Sequence, residues 1–285
     1  MPAPTLRRPT ATPQLPSFTQ QPAPAVTADH WSLPDPGTRR QIAESYAASG
    51  YAVVHVPGTE ATEADLTLLA DALGLGRAFT PAQYASSPHT SDGVSRLTAA
   101  ADPTHPFQDR AGQNFHSDGT LQHLGQIATT IMLCARPAHS GGHTLLFNAI
   151  AAFADLKAAD PEAAAQLTHP RALLRTSTFI PGLSTAGPAF GHDPAGRLIT
   201  RYSLTATDTY HPSTPEHRAD LERALAYLKA AADPGLGYRC QLTLAAGQAL
   251  VLANDRLCHG RTSFSDDPAA PRLLLRGLYT ARPAA

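Results

Sequence analysis

Asn114-Phe115-His116-Ser117-Asp118-Gly119-Thr120 is the stretch on which the reading of this chain turns. Residues 116 and 118 lie two apart, so in extended backbone both side chains leave the same face and one imidazole and one carboxylate converge on a single point. A third group of the same chemistry stands in Val251-Leu-Ala-Asn-Asp-Arg-Leu-Cys-His259-Gly-Arg261, where a histidine follows an apolar, strand-like run. Residues 118 and 259 are 141 positions apart (259 − 118), so any joint action demands a fold that pairs distant strands.

Two histidines and one carboxylate on one face of an octahedron leave three positions open, the pattern of non-haem Fe(II) oxygenases rather than of closed structural zinc. A chain with 13 histidines also produces an HxD tripeptide by accident, as a strand-end ion pair, so the surrounding residues decide. Gly141-Gly142-His143-Thr144 makes a tight turn into a strand, and Arg272-Leu-Leu-Leu-Arg276 sets two arginines on one face of the last strand. An inward arginine is costly unless it meets an anion. At roughly 3.3 Å per residue the two Cα atoms lie about 13 Å apart, so two anions are implied. Cys258 falls on the opposite face from His259 and reads as core, and Arg261 reads as a structural ion-pair partner.

Outward from these motifs, β-rich segments recur at 94–98, 127–134, 144–147, 172–179, 197–202, 238–244, 249–252 and 272–279, bounded mostly by Gly, Pro, Asp or Asn. Near the start, an amphipathic helix is expected to Ser49, a strand over 51–56 and a second helix from Thr62 to Leu73. Further helices are expected near 149–157, behind an Asn148 cap, and over 161–167 and 215–232. The fold class is therefore mainly β with flanking helices, in one domain over 37–285. Residues 1–36 hold nine of the 26 prolines and read as a disordered arm.

Lys plus Arg (22) nearly cancels Asp plus Glu (23), which excludes a broad footprint for nucleic acid or anionic membrane. Three cysteines without a CxxC pair suit a reducing cytoplasm, and no apolar run reaches the length of a membrane span. A soluble, cytoplasmic protein with a small-molecule partner is expected.

The order HxD, then GG-x-T, then a distal His-Gly-Arg followed by Arg-x-x-x-Arg resembles the taurine dioxygenase (TauD/TfdA) and clavaminate synthase-like branch of the Fe(II)/2-oxoglutarate dioxygenases, over roughly residues 40–285. The resemblance implies a double-stranded β-helix, or jelly-roll, core. It implies Fe(II) held by His116, Asp118 and His259, with 2-oxoglutarate as co-substrate beside O2. Thr144 and Arg272 would bind the far carboxylate of 2-oxoglutarate, and Arg276 the acidic group of the primary substrate, with Asn114 and Ser203 as further substrate contacts. His143 departs from the family, which commonly has an acidic residue there. The implied activity is hydroxylation, desaturation or cyclisation of a small anionic substrate, amino acids and their derivatives first. The rival readings are a zinc hydrolase, against which stands the lack of an HExxH helix, and a non-catalytic jelly-roll binding protein, against which stands the complete triad.

Overall fold

The structure is a computed structural model that describes residues 23–58, 60–100 and 106–284. Its larger sheet runs Val26–Thr27, Tyr51–His55, Gln248–Ala253, Thr129–Arg136, Leu273–Tyr279, Val94–Thr98, Thr90–Ser91. A four-stranded sheet, Arg239–Leu242, Thr144–Phe147, Cys258–Arg261, Gln113–His116, lies among the remaining strands. Neighbours in both sheets are antiparallel except Val26–Thr27 on Tyr51–His55, and most are far apart in sequence, as a jelly roll requires.

The period-2 alternation of strands sorts the larger sheet's side chains into two cores. Val53, Leu250, Leu252, Met132 and Leu274 point inward and pack in one core with Phe147 and Tyr202. Val54, Val251, Ile131, Leu133 and Leu275 point the other way, onto Ile42 and Tyr46 of the helix Pro36–Ser49 and Leu66 and Leu69 of the helix Glu63–Ala72. Both helices start at caps: Asp35 accepts from Gly37 and Thr38, and Thr62 forms a reciprocal box with Asp65. Asn148 caps the helix Ala149–Ala159, as expected.

Three expectations are corrected. The arm was expected to reach residue 36, yet Val26–Thr27 pairs in the sheet, and Trp31 and Leu33 are 1% and 0% exposed in the outer core. The few large apolar side chains of this Pro-rich stretch are enough to anchor it; residues 1–22 lie outside the described residues. The strand expected over 172–179 stops at Thr176, because the Ser177 hydroxyl accepts the N–H groups of Phe179 (3.1 Å) and Ile180 (3.0 Å) and turns the chain. The strand carrying the HxD motif ends at His116, so Asp118 sits in the following turn, where Gly119 has φ +95°.

Trp31→Ala removes a buried indole from the outer core and is expected to cost about 3–5 kcal/mol in urea unfolding. A change below 1 kcal/mol would show that the segment before residue 37 contributes little to the fold.

Candidate metal centre and active-site cavity

Antiparallel pairing of Gln113–His116 with Cys258–Arg261 sets His259 directly across from His116, their ring centroids 4.4 Å apart. Asp118 completes the group: one ligand atom from each of the three residues lies within 4.8 Å of the others. His116 Nδ1 lies 2.8 Å from the carbonyl of Asn114, which leaves its Nε2 for another partner. His259 Nε2 lies 3.7 Å from Asp118 Oδ2, and its buried Nδ1 has no partner among the described residues.

Burial, and then the neighbouring His116, push the His259 imidazole down to about 3; burial likewise lowers His116. Burial alone would raise the Asp118 carboxyl, but the Arg276 guanidinium and both imidazoles outweigh it and hold it below the usual carboxylate range. At neutral pH the group is thus two neutral imidazoles and one carboxylate, the protonation states that metal binding requires. The donor set, with one ligand atom from each residue within 4.8 Å of the others and His259 Nε2 facing the Asp118 carboxylate, fits a divalent ion.

The surroundings of Asp118 are specified atom by atom. Arg276 Nη1 donates to Oδ1 at 2.7 Å and the Thr130 hydroxyl to Oδ2 at 2.9 Å. The Asn254 carboxamide takes the Asp118 N–H (2.7 Å) and donates to the carbonyls of Asp118 (3.2 Å) and Ile127 (3.0 Å). Arg175, 2% exposed, donates to the carbonyl of Ser117 (3.0 Å) and pairs with Asp208 (3.3 Å). Sequence reasoning passed over Asn254 and Arg175, because each acts on the HxD turn from a distant strand or loop.

Asp118, Arg175 and Arg276 open onto a cavity of about 440 Å³. The triad, Thr144, Arg272, Arg276 and Asn114 all line it. Ser203 does not: its side chain is fully buried and its hydroxyl accepts from Arg175 at 3.3 Å, so the expected substrate contact is replaced by a structural one. Arg261 also lines the cavity, and its expected ion pair is absent among the described residues. Its Nη2 donates instead to the carbonyls of Asp109 (2.8 Å) and Ala111 (2.6 Å). Its guanidinium lies 4.7 Å from the Phe264 ring, and that of Arg272 5.0 Å from the same ring. Burial and then Arg272 lower the Arg261 guanidinium to about 10, the response of two cations sharing one end of a cavity. Cys258 is buried in the core, its thiol 3.2 Å from the Tyr202 carbonyl.

A jelly roll with two neutral histidines, one carboxylate and several buried arginines around one cavity defines a mononuclear metal enzyme that takes anionic ligands. Residues 15–279 match the taurine catabolism dioxygenase TauD, TfdA family. Two proteins named uridine-5′-phosphate dioxygenase are similar to the chain across most of its length. One, from Amycolatopsis sp., is 42% identical over 250 residues, 86% of this chain and 90% of that protein. The other, from Streptomyces sp., is 36% identical over 255 residues, 87% of this chain and 90% of that protein. In fold, the chain resembles an asparagine oxygenase solved with Fe(II), 3-hydroxyasparagine and succinate, with a TM-score of 0.66 at 18% identity over 88% of this chain and 81% of that one. The chain belongs to the TauD/TfdA family and is an Fe(II)- and 2-oxoglutarate-dependent dioxygenase. Family membership sets aside the zinc hydrolase and the non-catalytic binding protein. No helix among the described residues is long and apolar enough to cross a membrane.

Asn254→Ala frees the Asp118 backbone and is expected to weaken Fe(II) or Mn(II) binding about 10- to 100-fold in an anaerobic titration. Unchanged affinity would show that the turn holds Asp118 without it.

Proposed function

We propose that this dioxygenase oxidises a C–H bond of a nucleoside monophosphate, uridine 5′-phosphate first. The observation that carries the reading is Arg276: a guanidinium buried at 7% exposure yet on the cavity wall, bonded through Nη1 to Asp118. A guanidinium on the wall of a cavity is a charge-matched partner for a planar or tetrahedral oxyanion. The names of the two relatives select phosphate among such anions, ahead of the amino-acid carboxylate that the sequence favoured.

His116, Asp118 and His259 hold the iron in this reading. Bound there, Fe(II) with 2-oxoglutarate and O2 would supply the oxidant for a substrate C–H bond, 2-oxoglutarate leaving as succinate and CO2. The chain's part is placement and exclusion of water. The Thr144 hydroxyl and the Arg272 guanidinium fix the far carboxylate of 2-oxoglutarate by charge-assisted hydrogen bonds. Arg276 holds the substrate phosphate next to the iron ligand Asp118, and Met132 and Leu274 give the floor between the two arginines an apolar surface. Asn114, exposed on the cavity wall with its Nδ2 on the Leu204 carbonyl at 3.2 Å, contributes a polar contact at the rim. Three free, buried cysteines support a reducing, cytoplasmic setting.

A succinate-release screen over nucleotides, nucleosides, taurine and amino acids tests the reading. Uridine 5′-phosphate is expected to drive turnover, and uridine to fall about 10- to 150-fold in kcat/KM, the loss for one charge-assisted partner. Equal turnover of uridine, or turnover of amino acids alone, would overturn it. Arg272→Leu is expected to raise the KM for 2-oxoglutarate and Arg276→Lys, which keeps a positive charge beside Asp118, that for the nucleotide; the reverse pattern would exchange the two roles.

A further inference from the structure

Three aromatic side chains on the cavity wall belong to neither hydrophobic core: Tyr84, Phe107 and Phe179. They come from three connecting segments, the short 3-10 turns Ala82–Tyr84 and Pro106–Gln108 and the turn that follows the strand Leu173–Thr176. Tyr84 is the centre of the group, with ring centroids 5.2 Å from Phe107 and 5.4 Å from Phe179. Phe107 is buried, whereas Tyr84 and Phe179 are half-buried. The Ser177 hydroxyl holds the backbone N–H of Phe179, so this ring is set on a fixed turn before any ligand arrives.

The group adjoins the anion receptor. The Arg276 guanidinium lies 4.9 Å from the Phe107 ring and 5.8 Å from the Tyr84 ring while bonded to Asp118. One arginine therefore separates the carboxylate of the triad from the aromatic cluster. An anion receptor and a set of aromatic rings side by side call for a ligand with an anionic end and a flat, unsaturated ring at the other. Taurine and simple amino acids offer the first feature alone.

We infer that Tyr84 and Phe179, backed by Phe107, form the subsite that stacks on the planar base of the nucleotide and so determine the enzyme's preference for nucleotides over other small anions. This rests on the nucleotide reading above. Stacking needs π-faces rather than apolar bulk, because an aliphatic side chain of equal size keeps the hydrophobic contact and loses the ring-to-ring geometry. Rings on three separate segments also close the cavity around a flat ligand without using residues of either core.

The test compares uridine 5′-phosphate with 5,6-dihydrouridine 5′-phosphate, which keeps the phosphate, the ribose and the carbonyl and imide groups of the base but lacks its flat aromatic ring. Calorimetric titration of the anaerobic enzyme loaded with Fe(II) and 2-oxoglutarate reads binding without turnover. Wild type is expected to bind the uridine nucleotide more tightly than the dihydro analogue. Phe179→Leu and Tyr84→Leu are each expected to weaken it by roughly 5- to 100-fold, the range for loss of one base–aromatic stack. The preference over the dihydro analogue should shrink in the same variants, with affinity for 2-oxoglutarate unchanged and Phe179→Tyr restoring both. Wild-type affinities for the two nucleotides that agree within twofold, or a preference undiminished in both leucine variants, would overturn the stacking subsite while leaving the nucleotide reading intact. No binding of either nucleotide to wild type would overturn the nucleotide reading and this inference with it.

Discussion

A carboxylate buried between two sheets is the constraint that the site is built around. Asp118 is close to fully buried, a position whose charge is costly unless it is paired and hydrogen-bonded. Arg276 supplies the opposite charge from the last strand of the larger sheet, Thr130 supplies a hydroxyl from the adjacent strand, and Asn254 fixes the backbone. Asp118 itself follows the edge strand of the smaller sheet, so the pair joins the two sheets across the cavity. Removing one partner of such a pair typically costs about 3–5 kcal/mol, because the other is left charged and dry. The histidines answer the same constraint differently: burial keeps both neutral, so they add no like charge beside the Arg276 guanidinium.

At the other end of the cavity the chain solves a problem of repulsion. Arg261 and Arg272 both line this region, and Phe264 lies within cation–π distance of each. Phe264 is placed by pairing of Phe264–Ser265 with Ser140–Gly141. The close approach explains the Gly-Gly of the turn: a Cβ on Gly141 would meet the Ser263 carbonyl oxygen at 2.3 Å, and Gly141 and Gly142 have φ of +72° and +67°. A Cβ on Gly142 would sit 3.3 Å from that of Phe264 and 3.6 Å from Arg272 Nε. The two glycines thus let the turn pack beneath Phe264 and Arg272 while Thr144, two residues on, enters its strand.

Where residue spacing carried the information, the sequence was readable. The run of Arg272, Leu274 and Arg276 on one cavity face and most strands follow from period-2 geometry, and several helices from their caps; the three triad residues were legible as a motif, although Asp118 reaches its place from a turn rather than from the strand. Four kinds of feature were not. Trp31 and Leu33 anchor a Pro-rich segment whose average composition hides two well-buried side chains. Asn254 and Arg175 act on the HxD turn through hydrogen bonds across 136 and 58 residues, a relation with no local signature. Ser203 was placed by its neighbours in sequence, yet its hydroxyl faces Arg175. The aromatic rings of the cavity sit on turns, where no periodicity separates a ring that lines a cavity from one that fills a core.

In the function proposed above, His116, Asp118 and His259 would hold one Fe(II), and Thr144 and Arg272 would anchor the 2-oxoglutarate that binds beside it. Anaerobic addition of Fe(II) and 2-oxoglutarate, followed by visible absorption, tests it most directly, since only the joint complex produces a metal-to-ligand charge-transfer band. Wild type is expected to develop the band with one iron per chain, and His259→Ala to lose it. A wild-type protein that stays colourless at saturating iron and 2-oxoglutarate, or an undiminished band in His259→Ala, would contradict the account.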